Sequence, residues 1–327
     1  PLHFALLTQR QLPKRATLLP SPEEGTWDSL RGTLRALIHG SMSAVALPAM
    51  DLSPYQSANE PLLRRAAQLA RVVPLVYGAN LARPDPEAMS VQQSLARFRR
   101  DYAAFFLAYA QDIRERGHPI IHPLPLQFPK DAFGYGIDDE FLLGDEILVA
   151  PLLHEGTRRS VYLPMGSWTD LRTNVRYPGR RVVKMEAGEE GPILLAKNGS
   201  IVPVGVQEGG AVMTLHYFPR LAAEFFLFEP DSGEYTQIHA SPAGDQIRLE
   251  VEAKRERTYE WVVHHLSNVS KVVGNGVEYA RVSDAKSLKR GAWHYDRARE
   301  NLHVRLEARS EGHDVIYVHF ENDGAER

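Results

Sequence analysis

The 327-residue chain has no cysteine. That excludes disulfides, thiolate catalysis and cysteine-ligated zinc together, and it leaves the compartment open, because a cysteine-free chain suits cytosol, periplasm or medium alike. Neither sign of charge dominates. Thirty-eight Lys and Arg face 41 Asp and Glu, a net charge of −3, so no global basic field gathers phosphates and no nucleic-acid partner is expected. Long hydrophobic runs are missing as well. Ile147 to Leu153 is typical of the longest and falls far short of the ~20 residues of a membrane span, so no membrane partner is expected. The 13 histidines show no HExxH spacing, and His264-His265 on an apolar run reads as one inward and one outward filler. No metal and no cofactor is expected. The chain opens on Pro1, without methionine or the charged-then-apolar pattern of a signal peptide, and runs straight into apolar Phe4 to Leu7. A trimmed piece of a longer polypeptide is the expectation.

What is present is a globular composition, 43% hydrophobic and 24% charged, long enough for two or three domains. The first ~120 residues alternate short apolar runs with helical patterns, the habit of βα units around a parallel sheet. Strands are expected at His3 to Leu7, Arg15 to Leu19, Ala44 to Met50 and Pro74 to Tyr77. Helices are expected over Trp27 to Ile38 and Leu62 to Val72, whose apolar residues recur every three or four positions, and over a longer stretch from about Ser90 to Arg116, stopped by Gly117 and Pro119. From His118 onward, β-branched and aromatic runs punctuated by Gly, Pro or Asp predict an all-β texture. A polar joint at Gln207 to Gly210 divides two β modules. The resulting division is 1–120, 121–206 and 207–327.

Several segments occur in a telling order. They are Phe128-Pro129-Lys130-Asp131, then Phe141 to Pro151 (FLLGDEILVAP), Tyr162 to Asp170 (YLPMGSWTD), Lys197 to Pro203 (KNGSIVP), Leu227 to Tyr235 (LFEPDSGEY) and Trp293 to Asp296 (WHYD). In this order the chain resembles glycoside hydrolase family 31, the α-glucosidase and α-xylosidase family, over essentially its whole length. The resemblance implies an α/β plus all-β chain: the second half of a (β/α)8 TIM barrel followed by proximal and distal C-terminal β-sandwich domains. It also implies that the first half, with the W-x-D-M-N-type segment carrying the nucleophilic aspartate, is supplied by the parent chain or by another chain. Half a barrel leaves strand edges and apolar faces unpaired, which costs on the order of a few kcal/mol per buried, unsatisfied backbone group.

Retaining glycoside hydrolysis needs two carboxyl groups roughly 5 to 5.5 Å apart, one a nucleophile and one a proton donor and acceptor. The resemblance puts the family's acid/base five residues before the tryptophan that opens the following helix. With Trp27 as that opener the position is Pro22, which can neither give nor take a proton. Glu23 and Glu24 are the neighbouring candidates, either as displaced acids or as solvated residues leading into a helix N-terminus. Asp51 matches the aspartate of the family's D-I-G-G-F segment, but Leu52-Ser53-Pro54-Tyr55 replaces the glycines. Asp51 would hydrogen-bond a substrate hydroxyl or cap the segment that follows it. The family's sugar-gripping arginine and histidine map to Tyr77 and Ala79, and its fifth-strand arginine falls near Thr8, with Gln9 and Arg10 beside it. Asp51, Tyr55, Trp27 and Tyr77 are therefore the expected sugar contacts.

Three functions follow from this reading. One is an α-glycosidase portion with a degraded catalytic site, impaired or inactive as this chain. Another is a pseudoglycosidase that binds carbohydrate or assists assembly. The third is an enzyme that uses Glu23 or Glu24 as its acid. An α-linked sugar is the expected ligand in each. The basic cluster Arg172, Arg176, Arg180, Arg181 and Lys184 reads as a solvated loop face.

Overall fold

The computed structural model describes residues 16–18, 21–43, 45, 47–78, 86–188, 191–205 and 212–320. The strand expected at His3 to Leu7, the neighbours Thr8, Gln9 and Arg10, the joint at 207–210 and Ala79 lie outside the described residues. Two compact units are present, Pro1–Arg100 with Tyr109–Lys197, and Asp101–Ala108 with Asn198–Arg327.

In the first unit, β1 (Ala16–Leu18), β2 (Leu47–Asp51) and β3 (Leu75–Tyr77) form a parallel sheet in the order β1-β2-β3. Between them lie α1 (Trp27–Met42) and α2 (Glu60–Val72). The helices start where the sequence supplies caps. The Thr26 hydroxyl accepts from Ser29 N–H while the Ser29 hydroxyl accepts from Thr26 N–H, and Asn59 accepts from Leu62 N–H. Each cap satisfies donors that the first helical turn leaves open. The three-to-four spacing then buries Leu30, Leu34, Leu37 and Ile38 of α1, and Leu62, Leu63, Ala66 and Leu69 of α2.

The long helix expected to Arg116 is two helices, α3 (Pro86–Asp101) and α4 (Ala103–Arg116). At the break the Asp101 carbonyl accepts from Gly205 N–H at 2.6 Å, so a tertiary hydrogen bond takes a group that an unbroken helix would keep. Apolar periodicity does not register this, since it continues through the break. The stop at Gly117 is as expected: its φ is +73°, and its N–H caps the Ile113 carbonyl.

The strands of the β-rich remainder follow in chain order: β4 (Ile121–His122), β5 (Phe141–Leu143), β6 (Ile147–Ala150), β7 (Arg158–Leu163), β8 (Ser167–Asp170), β9 (Arg176–Pro178), β10 (Arg181–Glu186) and β11 (Ile193–Lys197). They make an antiparallel sheet, β4-β5-β6-β11-β8-β9, and a β7-β10 pair. Their core gathers Leu148, Leu152, Val161, Leu163, Leu195 and the fully buried Trp168, whose indole N–H reaches the Pro164 carbonyl. Buried Glu140 accepts from Arg159 and from Tyr162 N–H.

The second unit adds β12 (Ser200–Val204), β13 (Met213–Phe218), β14 (Ala223–Glu229), β15 (Glu234–Ala243), β16 (Gln246–Ala253), β17 (Arg257–Val263), β18 (Val269–Gly274), β19 (Val277–Glu278), β20 (Ala280–Arg281), β21 (Ala292–Asp296), β22 (Asn301–Ala308) and β23 (Gly312–Phe320). Two six-stranded sheets result, β12-β13-β17-β22-β21-β20 and β14-β15-β16-β23-β18-β19. Tyr217, Phe218, Tyr259 and Trp261 are fully buried in this unit. So is an ion pair, Arg257 to Glu229 at 3.0 Å, which the Thr236 hydroxyl supports by donating to Glu229.

Candidate functional site

The parallel register pairs Asp51 with Tyr77, so both stand side by side at the C-terminal ends of β2 and β3. In sheets of this construction, ligands approach that end. Asp51 closes β2, and the chain then turns into the short helical segment Ser53–Tyr55. Its carboxylate is held from two directions. Ser53 N–H donates to Oδ1 at 2.8 Å and the Ser21 hydroxyl donates to Oδ2 at 2.8 Å. Burial works to raise the carboxyl pKa, but hydrogen bonds from the Ser53 backbone and from the Ser53 and Ser21 hydroxyls outweigh it, and the group sits below its ordinary value of 3.8. Asp51 is thus an anion at neutral pH and an acceptor, with no proton to donate.

The backbone around Asp51 leaves little freedom. Gly78 follows Tyr77 with φ +65°, and a Cβ there would lie 2.1 Å from Ser53 Oγ and 2.9 Å from Asp51 Oδ1, so only glycine lets β3 exit against the carboxylate. Gln56 Nε2 donates to the Gly78 carbonyl at 2.7 Å, and Leu52 N–H donates to the Tyr77 carbonyl at 3.0 Å. A Cβ on Gly25 would meet the Pro54 carbonyl oxygen at 2.5 Å, which places the loop before α1 directly on the turn after Asp51. Through Ser21, the segment Ser21-Pro22-Glu23-Glu24 is therefore tied to Asp51, and these two sequence-predicted regions do come together.

The other expected contacts divide. Pro22 is half-buried, Glu23 and Glu24 are exposed, and Trp27 is half-buried at the first position of α1. Tyr77 is 53% exposed, open to a ligand beside Asp51. Tyr55 differs from the expectation of a sugar contact. It is fully buried, and its hydroxyl lies 3.1 Å from Thr33 Oγ1 and 3.4 Å from Ser29 Oγ of α1. The Ser53–Tyr55 turn reverses its ring from the strand tip into the core. Sequence reasoning passed over Ser21, Ser53, Gln56 and Gly78. The spacing Asp51-x-Ser53 was a readable signal, since an aspartate commonly accepts from the N–H two residues on, whereas Ser21 comes close only through folding.

Elsewhere in the first unit a cleft of about 420 Å³ is lined by Arg31, Arg35, Asp138, Asp139, His154 and Arg159 among others. Its charges are largely spent on each other, with Arg35 to Asp138 and Arg159 to Asp139 both at 2.7 Å. In the second unit His264 is buried and stacked on Phe218, its Nε2 3.0 Å from His216 Nδ1. Burial lowers the pKa of both rings, that of His216 to about 4.

Comparison with known proteins adds a family. Residues 117–202 match the glycosyl hydrolase family 31 C-terminal domain. The chain is 22% identical to an isomaltosyltransferase of Sporosarcina globispora, over 90% of this chain and 30% of that protein. It is 24% identical to alpha-glucosidase 2 of Bacillus thermoamyloliquefaciens, over 79% of this chain and 37% of that protein. Among solved structures, a Listeria monocytogenes cycloalternan-forming enzyme in complex with a pentasaccharide substrate superposes with a TM-score of 0.80 at 20% identity, covering 90% of this chain and 31% of that one. A Flavobacterium johnsoniae dextranase complexed with glucose gives 0.78 at 20% identity, covering 90% and 42%. The chain thus spans about a third of the length of the curated relatives it matches.

Proposed function

We propose that this chain, which carries the C-terminal part of a glycoside hydrolase family 31 protein, contributes the far half of an α-glycosidase barrel and its C-terminal β-sandwiches, and is catalytically impaired on its own. In this reading residues 1–120 are the second half of a (β/α)8 barrel, 121–206 the proximal sandwich and 207–327 the distal one. The three parallel strands with interleaved helices, and the sheets that follow, support that assignment. The barrel's first half belongs to the parent chain or to another chain, and the ligand is an α-linked sugar. Solved neighbours that hold a pentasaccharide or glucose support this ligand class.

One observation carries the reading. The residue joined to Asp51 by a 2.8 Å hydrogen bond is Ser21, immediately before Pro22. Where the acid/base of a retaining glycosidase would stand beside the strand tips, this chain presents a proline, and the carboxylate next to it is held ionised. Asp51 accepts a sugar hydroxyl and Tyr77 offers a ring face and a phenol. Asp51, held ionised, has no proton for a leaving group. Loss of general acid help alone lowers rates by typically ~10² to 10⁴-fold. The second reading, a pseudoglycosidase that binds carbohydrate, rests on the same observation, because a fixed acceptor and an exposed aromatic are binding groups.

The test assays the full-length protein on aryl α-glycosides with good and poor leaving groups, beside Glu23→Gln, Glu24→Gln and Asp51→Asn. The expected result is turnover that collapses as the leaving group worsens, is indifferent to the two glutamate variants, and is accompanied by sugar binding that weakens in Asp51→Asn. Efficient turnover abolished by Glu24→Gln or Glu23→Gln would overturn the reading and make that glutamate the acid.

A further inference from the structure

We propose that the loop 21–25 is an autoinhibitory latch on the Asp51 site: the Ser21 hydroxyl occupies the carboxylate oxygen that a sugar hydroxyl needs, and an α-linked sugar binds by displacing it. The inference rests on Asp51 being a sugar acceptor and adds what keeps that acceptor shut. The two carboxylate oxygens have different surroundings. Oδ1 accepts from Ser53 N–H at 2.8 Å and lies 2.9 Å from where a Cβ on Gly78 would stand, so it is turned into the bend after β2 and the exit of β3. That oxygen is closed to a ligand. Oδ2 accepts from the Ser21 hydroxyl at 2.8 Å, and Ser21 is exposed, so the side of Asp51 that faces solvent is the side that Ser21 covers. Serine presents a hydroxyl on an aliphatic carbon, the same group a sugar presents. A pyranose that donates to Oδ2 arrives where the Ser21 side chain and backbone already stand, and its bulk requires them to move.

The latch has a fixed end and a releasable one. Toward the helix the loop is fixed, because a Cβ on Gly25 would meet the Pro54 carbonyl oxygen at 2.5 Å and Thr26 caps α1. Glu23 and Glu24, between the two ends, are exposed and make no ion pair among the described residues. The Ser21 hydrogen bond therefore ties the other end of the loop to the strand tip. A hydrogen bond to an ionised acceptor holds such a loop shut most of the time, and a ligand hydroxyl replaces it like for like. With the open form at about a tenth of the population, the apparent sugar affinity is lowered about 10-fold. Tyr77, paired with Asp51 in register and 53% exposed, is open in both states. First contact falls to its ring.

The test titrates the full chain with isomaltotriose by calorimetry, for wild type, Ser21→Ala, Ser21→Thr and Asp51→Asn. Ser21→Ala should bind about 10-fold more tightly than wild type. Ser21→Thr keeps the hydroxyl and should stay near wild type, and Asp51→Asn should bind more weakly. The chain has no cysteine, so Glu23→Cys takes a single nitroxide label. Its mobility should rise as isomaltotriose saturates the labelled protein, and should be high without sugar once Ser21→Ala is added. Ser21 and Glu23 are exposed, and circular dichroism verifies that each variant folds. Binding by Ser21→Ala no tighter than wild type, while Asp51→Asn loses affinity, would overturn the latch and leave Asp51 as the acceptor; a label that does not respond to sugar would do the same. Absence of binding by both wild type and Ser21→Ala, or binding indifferent to Asp51→Asn, would overturn the reading of the site itself and the latch with it.

Discussion

Replacing Glu146 by glutamine should remove about half of a loss of stability between pH 6.5 and 8, the other half belonging to Glu140, which burial likewise raises to about 8. Glu146 is buried at the end of the GDE turn, and its one side-chain hydrogen bond is accepted from the Tyr109 hydroxyl at 2.7 Å, while Tyr109 in turn accepts from Asp145 N–H at 2.8 Å. Burial raises its carboxyl pKa, the Tyr109 hydrogen bond opposes that, and the neighbouring Asp145 charge adds to it, with a net result of about 8 against an ordinary 4.5. Between those values the folded chain keeps a proton that the unfolded chain has lost. The stabilisation is therefore complete below pH 4.5 and drains away as pH rises through 8. At ~1.4 kcal/mol per pH unit the whole window is worth on the order of 5 kcal/mol, and the part from pH 6.5 to 8 about 2 kcal/mol. The upper part avoids His216, lowered from 6.5 to about 4, which acts with opposite sign below pH 6.5, but Glu140 of the same unit, raised by burial to about 8, acts there with the same sign. The two units argue against one blended transition. The suitable assay is urea-dependent hydrogen exchange resolved on peptides spanning Phe141 to Ala150, across pH for wild type and Glu146→Gln. The variant keeps an acceptor for Tyr109 and has no proton to lose. Wild-type stability that is flat from pH 6.5 to 8, or a slope undiminished in Glu146→Gln, would refute the argument.

Gly78→Ala should destabilise the first unit by about 2 kcal/mol or more in urea melts, since φ +65° and a Cβ 2.1 Å from Ser53 Oγ combine left-handed strain with a collision; a neutral effect would mean the exit of β3 is looser than described. Arg257→Met strands the buried Glu229 carboxylate and should cost the second unit ~3 to 5 kcal/mol, with most of it recovered in the double variant Glu229→Met and Arg257→Met, as a double-mutant cycle would read. The His216–His264 pair should make the second unit lose stability as pH falls from 6.5 toward 4, because both rings are neutral when folded and protonate on unfolding; thermal melts of His216→Gln should lack that part of the acid sensitivity.

How much was legible in the sequence depended on whether the signal was local. Helices α1 and α2 could be read because spacing, caps and buried faces all lie within one stretch of chain. The break between α3 and α4 could not, because its cause is an N–H about a hundred residues away, at Gly205. Strands β6, β16 and β23 carry β-branched runs of the kind that predict the all-β texture from His118 onward. β15 buries Thr236, Ile238 and Ala240 in strict alternation, but Thr and Ala give little hydrophobic contrast and Pro242 reads as a breaker, so its sequence gives a weak strand signal. At the site, motif order and strand ends single out Asp51 and Tyr77, and the structure sets the two side by side at the ends of β2 and β3. The side-chain locks are not legible there, since Ser21 meets Asp51 only when two loops close on each other. Tyr55, expected as a sugar contact from its place in the segment after Asp51, is instead buried with its hydroxyl beside Thr33 and Ser29 of α1, a contact that motif order does not reveal.

The ionised state of Asp51 narrows where catalysis could originate in any longer protein built on this chain. A retaining mechanism passes one proton to the leaving oxygen and recovers one from water. Asp51, held below its ordinary value by three hydrogen bonds, would have to give up those bonds to carry that proton, which removes the geometry that places it at the strand tip. Among the described residues of the loop, only Glu23 and Glu24 carry carboxyl groups. Each would have to bend from an exposed position past Ser21, which already occupies Asp51 Oδ2. A proton donor acts only while protonated, so turnover by the full-length protein would show an alkaline limb set by its donor, and Ser21→Ala, which frees Asp51 Oδ2 without touching a carboxyl, tells Glu23 or Glu24 from a donor on another segment. Removing that bond opens the route for Glu23 or Glu24 and changes the alkaline limb if either is the donor, whereas a donor on another segment, the outcome expected here, leaves the limb where it was.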